Sequence, residues 1–473
     1  MFISFSLKGL GPTTVGLRRV VIAAGGAAIL AVVLYRAPIW LQAWTAVAVA
    51  VAIAVAAIVL VLAVGVAVRG SAHAVARVAT EAAFFAGALI AAEAILLLRA
   101  PEKWSDDPLA EQLLVHERAA REQGIAYDAR LPTEVVRDLQ SQGLDAVPGF
   151  AASNIASPAV AEAIRDRGLL PLSNVANVQV VECNEGTGYL QFRSDQFGFN
   201  NPPGLAVGPI DVAVIGESLA LGHCVAPSTS AVDRVRAQFP RTANFGVAGS
   251  RVLSQLGVFR EYVEPLEPSV VVWFVNVNYA EPRQESEQPV LMRYLHDASF
   301  SQELRQRQRD VDSFVRDVMV PLHQRRDREL RDELAGSSAF PFEQVMKLTE
   351  VRRAVDIDAA ARRAPETPSL SDFELAVDCV ARTARQWGGS LIVVILPSYE
   401  ISAGRPPDVA RYEAVSDALR DSAVTVVDGA ALFAADPDYL RLYKLRMDNH
   451  PSELGHAVLG RAVVAAINSR EKS

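Results

Sequence analysis

The stretch DVAVIGES, residues 211–218, runs from an apolar strand into a glycine, a carboxylate and a serine. Four more apolar runs follow it: TANFGV (242–247), SVVVWFV (269–275), SLIVVILP (390–397) and AVTVVDG (423–429). Runs without polar alternation predict strands buried on both faces, hence a parallel sheet with helices outside. AVDRVRAQF (231–239) and SELGHAVLGRAVVAAI (452–467) read as two of those helices. Ser218, just past the first strand, is placed at the carboxyl edge of the sheet, where open α/β folds bind ligands. A serine there becomes a nucleophile only with a base, and Asp448-Asn449-His450-Pro451 offers an Asp-His pair late in the chain.

Composition sets the bounds. The chain has 473 residues, enough for two or three domains, and a net charge of −8, which argues against nucleic acid as a partner. Its mean hydropathy of +0.19 is high for a soluble protein, and the excess lies in the first hundred residues. Val20–Tyr35 is uncharged after Lys8, Arg18 and Arg19, Thr45–Val68 has 24 uncharged residues, and Ala82–Leu98 is broken only by Glu93. About 20 apolar residues cross a bilayer. The second run suffices alone, and Trp40, Trp44 and snorkelling Arg36 and Arg99 extend the others. A cleaved signal peptide is the rival account of the first run, but no convincing cleavage site follows it.

Three transmembrane helices are therefore expected in residues 1–100. Lys8, Arg18, Arg19, Arg69 and Arg77 mark the cytoplasmic side. Everything after Arg99 then lies outside, which predicts a multi-pass protein of the cytoplasmic membrane with its catalytic part on the periplasmic side. Glu93 reads as paired with Arg99 or interfacial water rather than as a functional carboxylate.

Residues 101–205 form a polar lead-in of mixed character. HERAAREQG (116–124) and PTEVVRDLQSQG (132–143) read as helices, the second capped by Thr133, and 150–172 as loop with a short helix. VQVVEC (178–183) and GYLQFRSD (188–195) read as strands around the turn NEGTG. Residues 206–473 form the α/β domain, with a charged helical insertion at 280–370. Within it FSQELRQRQRDVDSFVRDVMVPL (300–322) is expected to be helical, with its charges on a solvated face.

Four blocks line up at strand ends: Gly216-Glu217-Ser218, NFGVAG (244–249), VVVWFVNVNY (270–279) and DNHP (448–451). In this order they resemble the SGNH, or GDSL-type, hydrolase superfamily. The resemblance covers about 206–465 and implies a flavodoxin-like α/β/α fold. It matches Ser218 to the nucleophile, His450 to the base, Asp448 to the acid, and Gly249 and Asn278 to the oxyanion donors, with the Ser218 amide. Two departures stand out. Glu217 replaces the usual Asp before the serine, and the usual Gly-x-Asn-Asp reads Asn276-Val277-Asn278-Tyr279, with Asn276 as a fallback for the donor. The lead-in CNEGTGYLQFRSDQFGFNNP (183–202) is similar to that of bacterial membrane-tethered members, which often accompany envelope polysaccharide systems.

The resemblance implies a serine esterase acting on an ester, with O-acyl groups of glycans or lipids as candidate substrates and an acyl-enzyme as intermediate. An O-acyltransferase and a catalytically degenerate binding or assembly factor are the alternatives. No cofactor and no metal are expected: His73, His116, His296 and His323 lack ligand spacing. His223 reads as a surface-loop residue or as lining the site, His456 as packing or capping the last helix, and Ser250 and Ser254 as capping or surface residues. Of the three cysteines, Cys183 and Cys224 are expected to pair, with Cys379 left as a buried thiol; three free buried cysteines are the competing reading.

Overall fold

The structure is a computed structural model that describes residues 89–90, 107–186, 188–282, 285, 288–336, 370–404, 406–420, 422, 424–447 and 450–470. The three expected membrane spans lie outside these residues, except for the helical Leu89 and Ile90, and so do Asp448 and the end of the insertion. Among the described residues no helix is long and apolar enough to cross a membrane. One of the chain's two units joins Ser105–Ala335 to Pro365–Ser473.

Two sheets organise that unit. In the lead-in, β1 (Ala146–Pro148) pairs parallel with β2 (Gln179–Val181), which pairs antiparallel with β3 (Gln191–Arg193). β1 is too short to show any period in the sequence. The main sheet holds β4 (Val212–Gly216), β5 (Thr242–Gly246), β6 (Val270–Val275), β7 (Ser390–Ile395) and β8 (Thr425–Asp428). All pairs are parallel and the order is β5-β4-β6-β7-β8, the flavodoxin-like order, with its switch point between β4 and β6. All five expected strands are present.

The unbroken apolar runs are explained by two cores. Ala213, Ile215, Val271, Trp273 and Val275 face one core, shared with Leu253 and Leu256 of helix Val252–Val258 and with Phe373, Val377 and Val380 of helix Ser371–Gln386. Val212, Val214, Val272 and Phe274 face the other, against Val232 and Val235 of helix Ala231–Gln238 and Leu459, Val463 and Ile467 of helix Glu453–Arg470. A Val, Leu or Phe so buried contributes about 1.5–3 kcal/mol, so neither face of β4 or β6 carries a polar set. The lead-in is part of the first core through Val180, Leu190, Phe192 and Phe199, and the Phe199 ring lies 5.1 Å from Phe245 and 4.8 Å from Tyr262.

Two local expectations are corrected. Helix Pro132–Ser141 starts from Leu131, whose N–H donates to Glu134 Oε2 at 2.8 Å; Thr133 instead gives its N–H and hydroxyl to Asp327 Oδ2, at 2.9 and 2.7 Å. The insertion helix runs from Gln308, not Phe300, as far as Gly336. Its charges do not only meet solvent: Arg316 pairs with Asp145 at 2.7 Å and Asp317 with Arg167 at 3.1 Å, both in the lead-in.

Candidate active site

Ser218 stands where β4 hands over to a short helix. Gly216 has φ +149°, and a Cβ there would lie 2.8 Å from Phe274 Cβ and carbonyl oxygen, so only glycine fits between the strand and its neighbour. Glu217 caps the turn Ser218–Leu221, accepting the Leu219 N–H at 3.3 Å through Oε1, while Oε2 accepts the Ser218 hydroxyl. The serine is buried.

His450 reaches Ser218 from just before helix Glu453–Arg470. Its Nε2 is 2.9 Å from Ser218 Oγ. Its Nδ1 is 2.7 Å from Glu185 Oε1, and its backbone N–H donates to Glu185 Oε2 at 2.9 Å. Lys444 N–H donates to the His450 carbonyl at 2.9 Å, fixing the loop from the other side. Among the described residues the carboxylate on the imidazole is Glu185, from the lead-in turn between β2 and β3. Asn184 builds that turn by accepting the Gly186 and Gly188 N–H groups at 3.0 and 3.2 Å.

A second Glu–His pair lies beside the first. The His223 ring centroid is 4.8 Å from that of His450, and His223 Nδ1 is 3.7 Å from Glu182 Oε2. Between the pairs runs the disulfide Cys183–Cys224, with Cα atoms 5.4 Å apart, and Cys224 Sγ lies 4.0 Å from His450 Nδ1. The expected bridge is present, and Cys379 is the buried free thiol. In the chain-entropy model a bridge across some 40 residues contributes about 3–4 kcal/mol. His223 lines the site and is not a surface-loop residue, because its neighbour Cys224 is tied inward.

The charges of the two pairs diverge. Burial works against an ionised Glu185, but the His450 charge and hydrogen bond, with smaller help from His223 and His116, overcome it and bring the carboxyl down to about 2. Burial likewise disfavours His450 as a cation, yet the Glu185 charge and hydrogen bond, and the Glu217 charge, push it up to about 9. Burial, with the His450 charge, takes His223 down to about 3, and burial alone pushes Glu182 up to about 8. At neutral pH Glu185–His450 is an ion pair and Glu182–His223 is uncharged.

The loops after β5 and β6 flank Ser218, since β4 lies between those strands. Gly249 follows β5 with φ +68°, and a Cβ on it would come within 3.1 Å of Ser153 Oγ. Ser250 is fully buried and braces this loop, donating to the Val247 and Gly216 carbonyls at 2.8 and 3.1 Å. Asn278 follows β6. Asn276 Oδ1 accepts the Asn278 N–H at 3.0 Å, so Asn276 builds the turn on which Asn278 sits. Asn278 Oδ1 accepts from Arg411 at 3.2 Å and its carbonyl from Arg251 at 2.9 Å.

Of the residues the sequence singled out, Ser218 and His450 are in direct contact and Gly249 and Asn278 lie on the flanking loops. Asp448 lies outside the described residues. Glu185 was missed: it sits in a turn that reads only as a hairpin connection. Its signal was the neighbouring Cys183, whose expected bridge to Cys224 already carried the turn to the serine loop. His456 is fully buried and its Nδ1 accepts the Ala231 N–H at 3.0 Å, capping helix Ala231–Gln238 rather than its own. Ser254 donates to Glu285 Oε1 at 2.5 Å. Two groups of metal-ligand residue types occur among the described residues, Cys183–His223–Cys224 and Glu185–Cys224–His450. Both depend on disulfide sulfurs, which lack the thiolate a metal takes, so the donor set does not fit an ion.

No family model and no curated protein matches the sequence. The chain is similar to solved hydrolase structures. A G-D-S-L family protein from Desulfitobacterium hafniense DCB-2 is 14% identical over 54% of this chain and 98% of its own, with a TM-score of 0.31. A lipase/acylhydrolase from Enterococcus faecalis is 13% identical over 55% and 97%, with a TM-score of 0.32. A catalytic mutant of an acetylxylan esterase from Geobacillus stearothermophilus is 14% identical over 55% and 95%, with a TM-score of 0.30. At these TM-scores the likenesses carry no weight in assigning residues; strand order and side-chain geometry do.

Proposed function

We propose that the chain is an SGNH-type serine ester hydrolase whose catalytic residues are Ser218, His450 and Glu185. The observation that carries this reading is the continuous path from Ser218 Oγ to His450 Nε2, 2.9 Å, and from His450 Nδ1 to Glu185 Oε1, 2.7 Å. Neutral His450 takes the Ser218 proton as Oγ attacks the ester carbonyl carbon, then returns it to the leaving alcohol. Glu185 holds the tautomer and balances the imidazolium, the role the resemblance gave to Asp448. The oxyanion is met by the Ser218 and Gly249 N–H groups and the Asn278 amide, each donor worth about 2.7–4 kcal/mol of barrier. Water, activated by the same His450, then releases the acyl group.

The proposed setting is the outer face of the cytoplasmic membrane, with three N-terminal spans as anchor and O-acylated glycans or lipids of the envelope as substrates. A disulfide beside the reacting groups fits an oxidising compartment. Fluorophosphonate labelling, with Ser218→Ala as control, tests the nucleophile. Labelling that persists in Ser218→Ala removes it. Labelling without ester hydrolysis points to an acyltransferase with a sugar hydroxyl as acceptor, and no labelling at all points to a binding factor. A reporter fused after Ser473 that is active only in the cytoplasm would overturn the topology.

A further inference from the structure

Two arginines hold Asn278. Arg251 Nη1 donates to its carbonyl at 2.9 Å and to the Glu281 carbonyl at 3.1 Å, and its guanidinium lies 4.6 Å from the Tyr279 ring centroid. These contacts fix the backbone. Arg411 acts on the side chain: from helix Pro406–Arg420 its Nη1 donates to Asn278 Oδ1 at 3.2 Å, and Asp408, one turn earlier, accepts from the same nitrogen at 3.3 Å.

A guanidinium carries donors and no acceptor. The amide atom facing Arg411 is therefore the oxygen, and the NH2 group occupies the opposite edge of the amide. Without such a partner an asparagine amide can turn over. A turned amide would aim its oxygen at a developing oxyanion and repel it. The cation also draws electron density toward Oδ1, which makes the amide N–H groups stronger donors. Asp408 holds the guanidinium in place and offsets its charge.

We infer that Arg411 is a positioning residue for the oxyanion hole, orienting the Asn278 amide so that Nδ2 donates to the tetrahedral intermediate. This rests on the reading of Ser218 as nucleophile and Asn278 as donor. Arg411 acts only through Asn278, and that separates it from a residue that merely supports the fold.

The test is steady-state hydrolysis of a short-chain nitrophenyl ester by the full chain and by Arg411→Met, Arg411→Lys, Asn278→Ala, the double variant Asn278→Ala/Arg411→Met, and Ser218→Ala. Arg411→Met is expected to lower kcat about 10–100-fold with KM changed less than about threefold, since a misdirected donor is felt mainly in the transition state. Arg411→Lys should restore most of the loss, because an ammonium can still donate to Oδ1. The double variant should be no slower than Asn278→Ala. Unchanged kcat in Arg411→Met, a loss confined to KM, additive losses in the double variant, or equal losses in the Met and Lys variants would each overturn the inference. If Ser218→Ala stays active, the nucleophile reading falls and the inference with it. If Ser218→Ala is dead while Arg411→Met is unaffected, only the inference falls.

Discussion

Glu185 and Glu182 sit three residues apart on one turn, each facing a histidine, and they end in opposite states. Both carboxyls are nearly sequestered from solvent, with exposures of 6% and 9%. Burial therefore does not separate them. Contact does. Glu185 has a 2.7 Å bond to His450 Nδ1 and a second to the His450 N–H. Glu182 lies 3.7 Å from His223 Nδ1, and among the described residues its Oε1 has no hydrogen-bond partner. Where hydrogen bonds satisfy the carboxylate, the ion pair outweighs the cost of desolvation; where they do not, neutral forms are cheaper. The lesson is that a buried Glu–His pair is not by itself catalytic machinery. Hydrogen bonds to both carboxylate oxygens are what mark the pair proposed as catalytic.

The largest effects should fall on Ser218 and His450, the proposed nucleophile and base. Ser218→Ala and His450→Ala are each expected to remove about 10⁴–10⁶ of kcat, the double variant being little worse than either, because the group acts as a unit. His223→Ala should retain measurable activity; a loss as deep as that of His450→Ala would erase the distinction between the two pairs. Next comes the carboxylate. Glu185→Gln should cost about 10³–10⁴ in kcat, as expected when an imidazole loses its orienting anion. Glu182→Gln should cost less than about tenfold, since a neutral amide replaces a neutral acid. If Asp448→Asn proves as damaging as Glu185→Gln is here expected to be, and Glu185→Gln is mild, the acid has been assigned to the wrong segment. Initial rates on a short-chain ester with purified folded protein decide each case.

A smaller effect concerns pH. In the proposed mechanism His450 must be neutral to accept the Ser218 proton, and its partners push it up to about 9. Activity should therefore rise with pH by about 50-fold between pH 7 and 9, following the deprotonated fraction. In Glu185→Gln the rise should move to lower pH, because the charge that holds the proton on His450 is gone. A kcat/KM profile already flat by pH 7 in the unaltered protein would show that the ion pair is weaker than the geometry indicates.

The sheet could be read in the sequence because its three central strands, β4, β6 and β7, are buried on both faces and so announce themselves as apolar runs. Ser218 could be read because it follows such a strand, and His450 because it stands just before the last helix. Glu185 could not, for its position depends on a three-stranded sheet of three-residue strands, too short to show a period, and on chain segments some 265 residues apart meeting at His450. The bridge Cys183–Cys224 was legible, and it held information that went unused: it brings both Glu185 and His223 to the serine loop. Thr133 misled for a different reason. A Thr at a helix start looks like a cap, but a carboxylate from the distant insertion, Asp327, takes its donors. Arg411 left no sequence signal, since it is one arginine of a charged helix until the fold sets it against Asn278.

The smallest effect is on stability, and it sharpens the comparison most directly. Glu182 is raised to about 8 by burial, so the folded protein prefers its protonated form. Its contribution is therefore fully present below the ordinary carboxyl value, near 4.5, and is lost as pH rises through 8. Glu185 runs the other way: held down at about 2, it stabilises above 4.5 and loses that contribution as pH falls toward 2. His450, raised to about 9, stabilises below its ordinary value near 6.5 and loses this as pH rises through 9. Alkaline loss of stability should thus have two sources, Glu182 and His450, and only the first is removed by Glu182→Gln. The variant should be more stable than the unaltered protein at pH 8–9, by a difference on the order of a few kcal/mol at most, and about equal to it near pH 4. Glu185→Gln should do the reverse, losing stability at neutral pH. Thermal midpoints measured from pH 4 to pH 9 on the three proteins check this. If Glu182→Gln tracks the unaltered protein across the whole range, Glu182 is not held neutral by its surroundings, and the two pairs differ less than their hydrogen bonds imply.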